Sequence, residues 1–193
     1  MFANRVVIVT GASGGIGAAL AAAFAQAGAR VALLARKEER LLRLADEIER
    51  HGGIAMPVRC NVADVAEANA AVDEVRTAFG SVDILVNAAG VTIPATVENA
   101  RLEDLHEMID INYFGVVHMV QATLPDMKAQ DFGHIINIGS VAGRRGEYTL
   151  AGYCASKFAL AGFTEAIRLE LFGTGINVSL VNCSPVEDRK SVV

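Results

Sequence analysis

Near its start this chain passes from a short β-branched run to a cluster of glycines and then to a string of alanines, a succession that restricts the fold more than any other stretch. Val6-Val7-Ile8-Val9 has the make-up of a buried strand, and Ala18-Ala19-Leu20-Ala21-Ala22-Ala23 has the propensity of a helix. Between them lies Thr10-Gly11-Ala12-Ser13-Gly14-Gly15-Ile16-Gly17. Gly11 allows a sharp turn, while Gly15 and Gly17 remove side chains where a ligand's phosphates and the neighbouring strand must come close. The helix start adds unpaired N–H groups and the positive end of its dipole, so a pyrophosphate is the expected guest of Gly11, Gly15, Ile16 and Gly17. Glycine turns also join strands to helices where no ligand binds. The spacing here, T-G-x-x-x-G-x-G, departs from the general G-x-G-x-x-G fingerprint, so residues far away in sequence must decide.

The rest of the chain repeats the alternation of strand and helix. Strands are expected at Val31–Leu34, Ile54–Val58, Asp83–Val86, His134–Ile138 and Ile176–Val181. Helices are expected over 38–50, 65–79, a stretch after Arg101, 112–130 and 153–172, with an irregular loop from Val141 to Gly152. This pattern predicts an α/β fold: one three-layer domain with a doubly wound parallel sheet, whose ligand crevice lies beyond the carboxyl ends of the strands.

Composition narrows the function. Of 193 residues 52% are hydrophobic and 20% charged, which excludes a disordered chain, and a net charge of −5 argues against a nucleic-acid binder. Residues 6–29 carry no charge, but Gly11, Gly14, Gly15, Gly17, Gly28, Thr10, Ser13 and Gln26 break the stretch, so neither a membrane span nor a signal peptide is expected. Cys60, Cys154 and Cys183 lack disulfide or zinc spacing, and His51, His106, His118 and His134 lack metal spacing. A reducing cytoplasm, small-molecule chemistry and no metal are the expectations.

Tyr153-Cys154-Ala155-Ser156-Lys157 places a phenol and an ammonium four residues apart on one helix face. An ammonium beside a phenol favours the phenolate, which suits acid/base chemistry on alcohols and carbonyls. Ser140, at the end of the preceding strand, can orient a substrate oxygen. Asn112, entering the helix before that strand, can hold a water or backbone group that passes protons toward Lys157. Taken singly, each has an ordinary alternative: surface pair, turn residue and helix start.

Together, T-G-A-S-G-G-I-G at 10–17, N-A-A-G at 87–90, Asn112, Ser140 and Y-C-A-S-K at 153–157 resemble the short-chain dehydrogenase/reductase family, from Arg5 to about Val186. The resemblance implies a Rossmann-like fold in which Tyr153 is the catalytic acid/base and Lys157 assists it and holds the nicotinamide ribose. Ser140 would position the substrate carbonyl and Asn112 complete a proton relay. Asn87, Ala88 and Gly90 would line the adenosine side, with Asn61 and Val62 near adenine. It also implies a homodimer or homotetramer at full length. Phe158, Leu160, Phe163, Ile167, Leu169, Leu171 and Phe172 cover more of their helix than one sheet face needs.

Relatives that prefer NAD place an acidic residue at the end of the second strand. Ala35 occupies that slot here, followed by Arg36, which can pair with a 2′-phosphate assisted by Ser13. NADP(H) is therefore the expected cofactor, with NAD(H) possible. Where the family continues with a P-G-x-V turn, lid and seventh strand, this chain has Cys183, Ser184, Pro185 and Val186 and stops seven residues later. Val186 is expected to meet the nicotinamide amide, and the last strand and substrate lid are expected to be lacking. Asp188-Arg189-Lys190-Ser191-Val192-Val193 matches what a common sequencing adapter encodes in one reading frame, so 1–187 is expected to be an incomplete domain and 188–193 a non-native tail. The expected activity is hydride transfer between NADP(H) and a ketone or secondary alcohol. A non-catalytic nucleotide sensor or scaffold, which would be expected to lack the Tyr/Lys pair, and an inactive fragment stay open as alternatives.

Overall fold

The computed structural model describes residues 2–184. Six parallel strands, β1 (Val6–Thr10), β2 (Arg30–Ala35), β3 (Ile54–Arg59), β4 (Ile84–Asn87), β5 (Gly133–Ser140) and β6 (Ile176–Cys183), lie in the order β3-β2-β1-β4-β5-β6. Between them run α1 (Gly15–Gln26), α2 (Glu38–Arg50), α3 (Val65–Phe79), α4 (Leu102–Ile109), α5 (Gly115–Ala129) and α6 (Ala151–Glu170). The strand order reverses direction between β1 and β4, and a doubly wound sheet opens its ligand crevice at such a switch.

The strands read as unbroken apolar runs because helices cover both faces of the sheet. Along β1, Val6 and Ile8 join the layer that contains Val72, Met119 and Leu160, whereas Val7 and Val9 join Ala21, Leu41 and Ile48 of α1 and α2. Every residue of β1 is buried, and each fully buried Val or Ile contributes roughly 1.5–3 kcal/mol to folding. Pro57 lacks an N–H and falls on β3, which lies at an edge of the sheet, where proline is tolerated. Asp64 caps α3 through Oδ1, which accepts from the N–H groups of Ala66 at 2.8 Å and Glu67 at 3.1 Å. Asp83 anchors the start of the central strands by accepting from Val6 N and from Arg5 Nη1, both at 2.8 Å.

Two segments differ from the sequence reading. Helix α4 does not stop before Asn112: a π turn over Asp110–Phe114 carries it straight into α5, so Asn112 lies inside one continuous helical rod and not at a helix start. Periodicity alone misses such a turn, because one extra residue in the helix shifts the phase of the apolar pattern. The loop expected over Val141–Gly152 is shorter, since a 3₁₀ turn occupies Val141–Gly143 and α6 begins at Ala151. Among the described residues no helix is long and apolar enough to cross a membrane, and no group of three or more His, Cys, Asp or Glu side chains is placed to hold a metal.

Candidate active site

The glycine turn forms the floor of a cleft of about 450 Å³ at the switch between β1 and β4. Gly11 has φ +68°, and a Cβ there would lie 2.7 Å from the backbone N of Ala89. At Gly17 a Cβ would meet the carbonyl oxygen of Gly11 at 2.4 Å, so the first turn of α1 can sit against the end of β1 only without a side chain. No side chain caps α1. Its first N–H groups therefore have no intrahelical partner and no protein cap, the arrangement that binds phosphate at a helix start. Thr10 fixes the opposite wall: its Oγ1 accepts from Ala88 N and Ala89 N, both at 3.1 Å.

The cleft brings together Gly11, Ser13, Gly15, Ile16, Gly17, Arg36, Asn61, Val62, Ala88 and Gly90. It adds Lys37 and Arg40, which follow Arg36 at the start of α2, and among the described residues no carboxylate lines it. Asn61 is half-buried, with its Oδ1 3.3 Å from Ala63 N, and Cys60 beside it is buried. Burial, then the carboxylates of Glu67 and Asp64, push the Cys60 thiol up to about 11 against the pull of Arg59, so it stays protonated near neutrality. Asn87 is 2% exposed and does not line the cleft. Register places Asn87 beside Asn137 in the sheet, where its Nδ2 donates to Asn137 Oδ1 at 2.9 Å and Asn137 Nδ2 donates to Thr164 Oγ1 at 2.9 Å. Its own Oδ1 is buried without a hydrogen-bond partner. A strand-end position alone could not tell a wall residue from one directly beneath the wall.

Beyond Gly90 the cleft meets the polar side chains of α6 and the π turn. A Cβ on Gly90 would lie 3.1 Å from Asn112 Oδ1 and 3.8 Å from Lys157 Nζ, so glycine lets these two groups reach the floor. Asn112, fully buried, accepts from Val91 N at 2.8 Å and donates to Val91 O and Ser156 Oγ, both at 2.9 Å. Ser156 in turn donates to Tyr153 O at 2.8 Å, which ties the π turn to the first turn of α6. No pattern in the sequence marked Ser156.

Lys157 is 6% exposed and donates to Ile138 O at 2.8 Å, while its Nζ lies 5.9 Å from the centre of the Tyr153 ring. No hydrogen bond joins this ammonium to the Tyr153 phenol. Burial pulls the ammonium down from the usual 10.5 to about 8, and proximity to Cys183 works weakly the other way. Ser140 ends β5 directly beside Cys183 of β6, and its Oγ accepts from Ala142 N at 3.1 Å, which starts the 3₁₀ turn. Val186 lies outside the described residues.

Residues 5–190 match the family model described as short chain dehydrogenase. An uncharacterised oxidoreductase of Staphylococcus epidermidis is 36% identical over 187 residues, covering 95% of this chain and 79% of that protein. D-threitol dehydrogenase of Mycolicibacterium smegmatis is 38% identical over 179 residues, covering 93% and 69%. The crystal structure of a short chain dehydrogenase/reductase from Burkholderia phymatum in complex with NAD superimposes with a TM-score of 0.93 at 32% identity, covering 96% of this chain and 67% of that one. Sequence and fold agree over almost the whole length, and the chain is a member of the short-chain dehydrogenase/reductase family, an oxidoreductase that transfers hydride at a CH–OH/C=O carbon with a nicotinamide cofactor.

Proposed function

We propose that this chain is an NADP(H)-dependent oxidoreductase that interconverts a ketone and a secondary alcohol. The observation that carries the reading is one continuous cleft edge. It runs from Arg36, Lys37 and Arg40, with no carboxylate among the described residues of its walls, past the uncapped start of α1 to Gly90, where Asn112 and Lys157 come to the floor. The residues present suit such a cofactor. The N–H groups at Gly15, Ile16 and Gly17 would hold its pyrophosphate, Asn61 and Val62 its adenine, and Arg36 with Ser13, Lys37 and Arg40 its 2′-phosphate. The relative from Burkholderia phymatum binds NAD. The cations here are the reason for the different assignment.

Bound there, the nicotinamide ring supplies or accepts the hydride. Tyr153 Oη gives a proton to the carbonyl oxygen in reduction and takes it back in oxidation, and Ser140 Oγ holds that oxygen in place. Lys157, fixed by Ile138 O, holds its Nζ 5.9 Å from the centre of the Tyr153 ring, from where it would hold the ribose. Asn112 keeps Val91 and the first turn of α6 in register with one another. The reading includes a second copy of the chain over α6 and the turn after it, where Phe158, Leu169 and Phe172 are exposed.

Tyr153→Phe tests the chemical assignment. With NADPH and a panel of small ketones, kcat should fall by about 10²–10⁴-fold, with little change in the Kd for NADPH. Turnover that survives the substitution contradicts the role given to Tyr153.

A further inference from the structure

We infer that Glu107 is a specificity-determining residue: by engaging Arg36 from outside the cleft it limits how strongly the protein prefers NADPH over NADH. The inference rests on the reading that this cleft takes NADP(H). Arg36 stands on the partition between two concavities, the cofactor cleft and a side groove of about 360 Å³ lined by Glu103, His106, Glu107 and Asp110. The spacing of the three acids puts them on one face of α4 and the π turn. Glu103 is engaged by Arg101, whose Nε lies 3.5 Å from its Oε2. Glu107 is the carboxylate that reaches Arg36, with Oε1 3.9 Å from Nη1.

The geometry is that of a weak latch. At 3.9 Å, with the two side chains 56% and 44% exposed, the pair is loose and gives way to a dianionic phosphate. Releasing Glu107 opposes the binding of NADPH. It leaves NADH unaffected, since NADH offers no phosphate to draw Arg36 across. Lys37 and Arg40 line the same cleft, yet among the described residues Arg36 is the cation there that faces a carboxylate. Arg36 is thus shared between two anionic partners, and Glu107 sets the exchange between them.

Glu107→Gln keeps the shape and removes the charge. The experiment measures Kd for NADPH and for NADH by nicotinamide fluorescence, for the wild type, Glu107→Gln, Arg36→Ala and the double variant, with thermal melts to confirm that all four fold alike. Exposed pairs of this kind change an equilibrium constant by up to about fivefold. The expected result is NADPH binding about two- to fivefold tighter in Glu107→Gln, NADH binding unchanged, and no tightening in the Arg36→Ala background. An unchanged NADPH Kd in Glu107→Gln, while Arg36→Ala still weakens binding, overturns the latch and leaves the cofactor reading standing. Tightening that persists without Arg36 also overturns it, because the carboxylate would then act on the phosphate directly. If Arg36→Ala does not weaken NADPH binding, the cofactor reading fails and this inference fails with it.

Discussion

Lys157 shows how one side chain joins stability to function. The helix spacing Y-x-x-x-K placed it beside Tyr153 in sequence, but its burial and its bond to Ile138 O depend on β5, which the chain reaches nineteen residues earlier. Because the folded protein binds this proton more weakly than the unfolded chain does, the unfolded state holds more protons between about 8 and 10.5. The resulting penalty is fully present below about 8 and is relieved as pH rises through 10.5. Urea unfolding of the wild type and of Lys157→Met at a series of pH values should show the difference between them moving in favour of the wild type by on the order of 3 kcal/mol from pH 7 to 11. A difference that does not move with pH contradicts the buried, depressed ammonium. Asn87 marks the limit of legibility at this scale: it was expected in the cleft, whereas the structure puts it one layer below, bonded to Asn137. Sequence position gives the end of a strand, not which side of the sheet's upper edge a side chain takes.

At the scale of elements, the glycine turn was legible because Gly11 and Gly17 answer steric demands that no other residue meets. The demands are unequal, and that inequality can be measured. Gly14 has extended backbone at φ 170° with nothing within 4 Å of a Cβ, whereas a Cβ on Gly17 would stand 2.4 Å from Gly11 O, a backbone atom that cannot move aside. Gly17→Ala should therefore lower stability by about 1–3 kcal/mol and abolish cofactor binding, while Gly14→Ala leaves the melting temperature nearly unchanged. Equal melting temperatures for the two variants contradict the close packing of α1 on the turn. The strands were legible because burial on both faces leaves little but apolar residues along β1 and β2. The π turn at Asp110–Phe114 was not, since its signature is a hydrogen-bonding phase and not a residue type. Its consequence is functional: the turn lies where Asn112 spans Val91 and Ser156.

Across the whole molecule, the strand order brings distant segments to one place. The turn after β1, the loop after β4, the end of β5 and the start of α6 are separated by up to about 140 residues of chain, yet they converge at the carboxyl edge of the sheet. The alternation of strand and helix was enough to predict a crevice at that edge, where the cleft lies. The basic end of the cleft was read only in part: Arg36 was identified from its slot after β2, while Lys37 and Arg40 needed the course of α2 and Glu107 needed the packing of α4. What that basic end binds decides the NADP(H) assignment. Titration of the purified chain with NADPH and with NADH, followed by nicotinamide fluorescence and repeated with Arg36→Asp, should give saturable binding that is tighter for NADPH and loses that preference in the variant. NADH binding as tightly as NADPH, or a preference that survives Arg36→Asp, would contradict it.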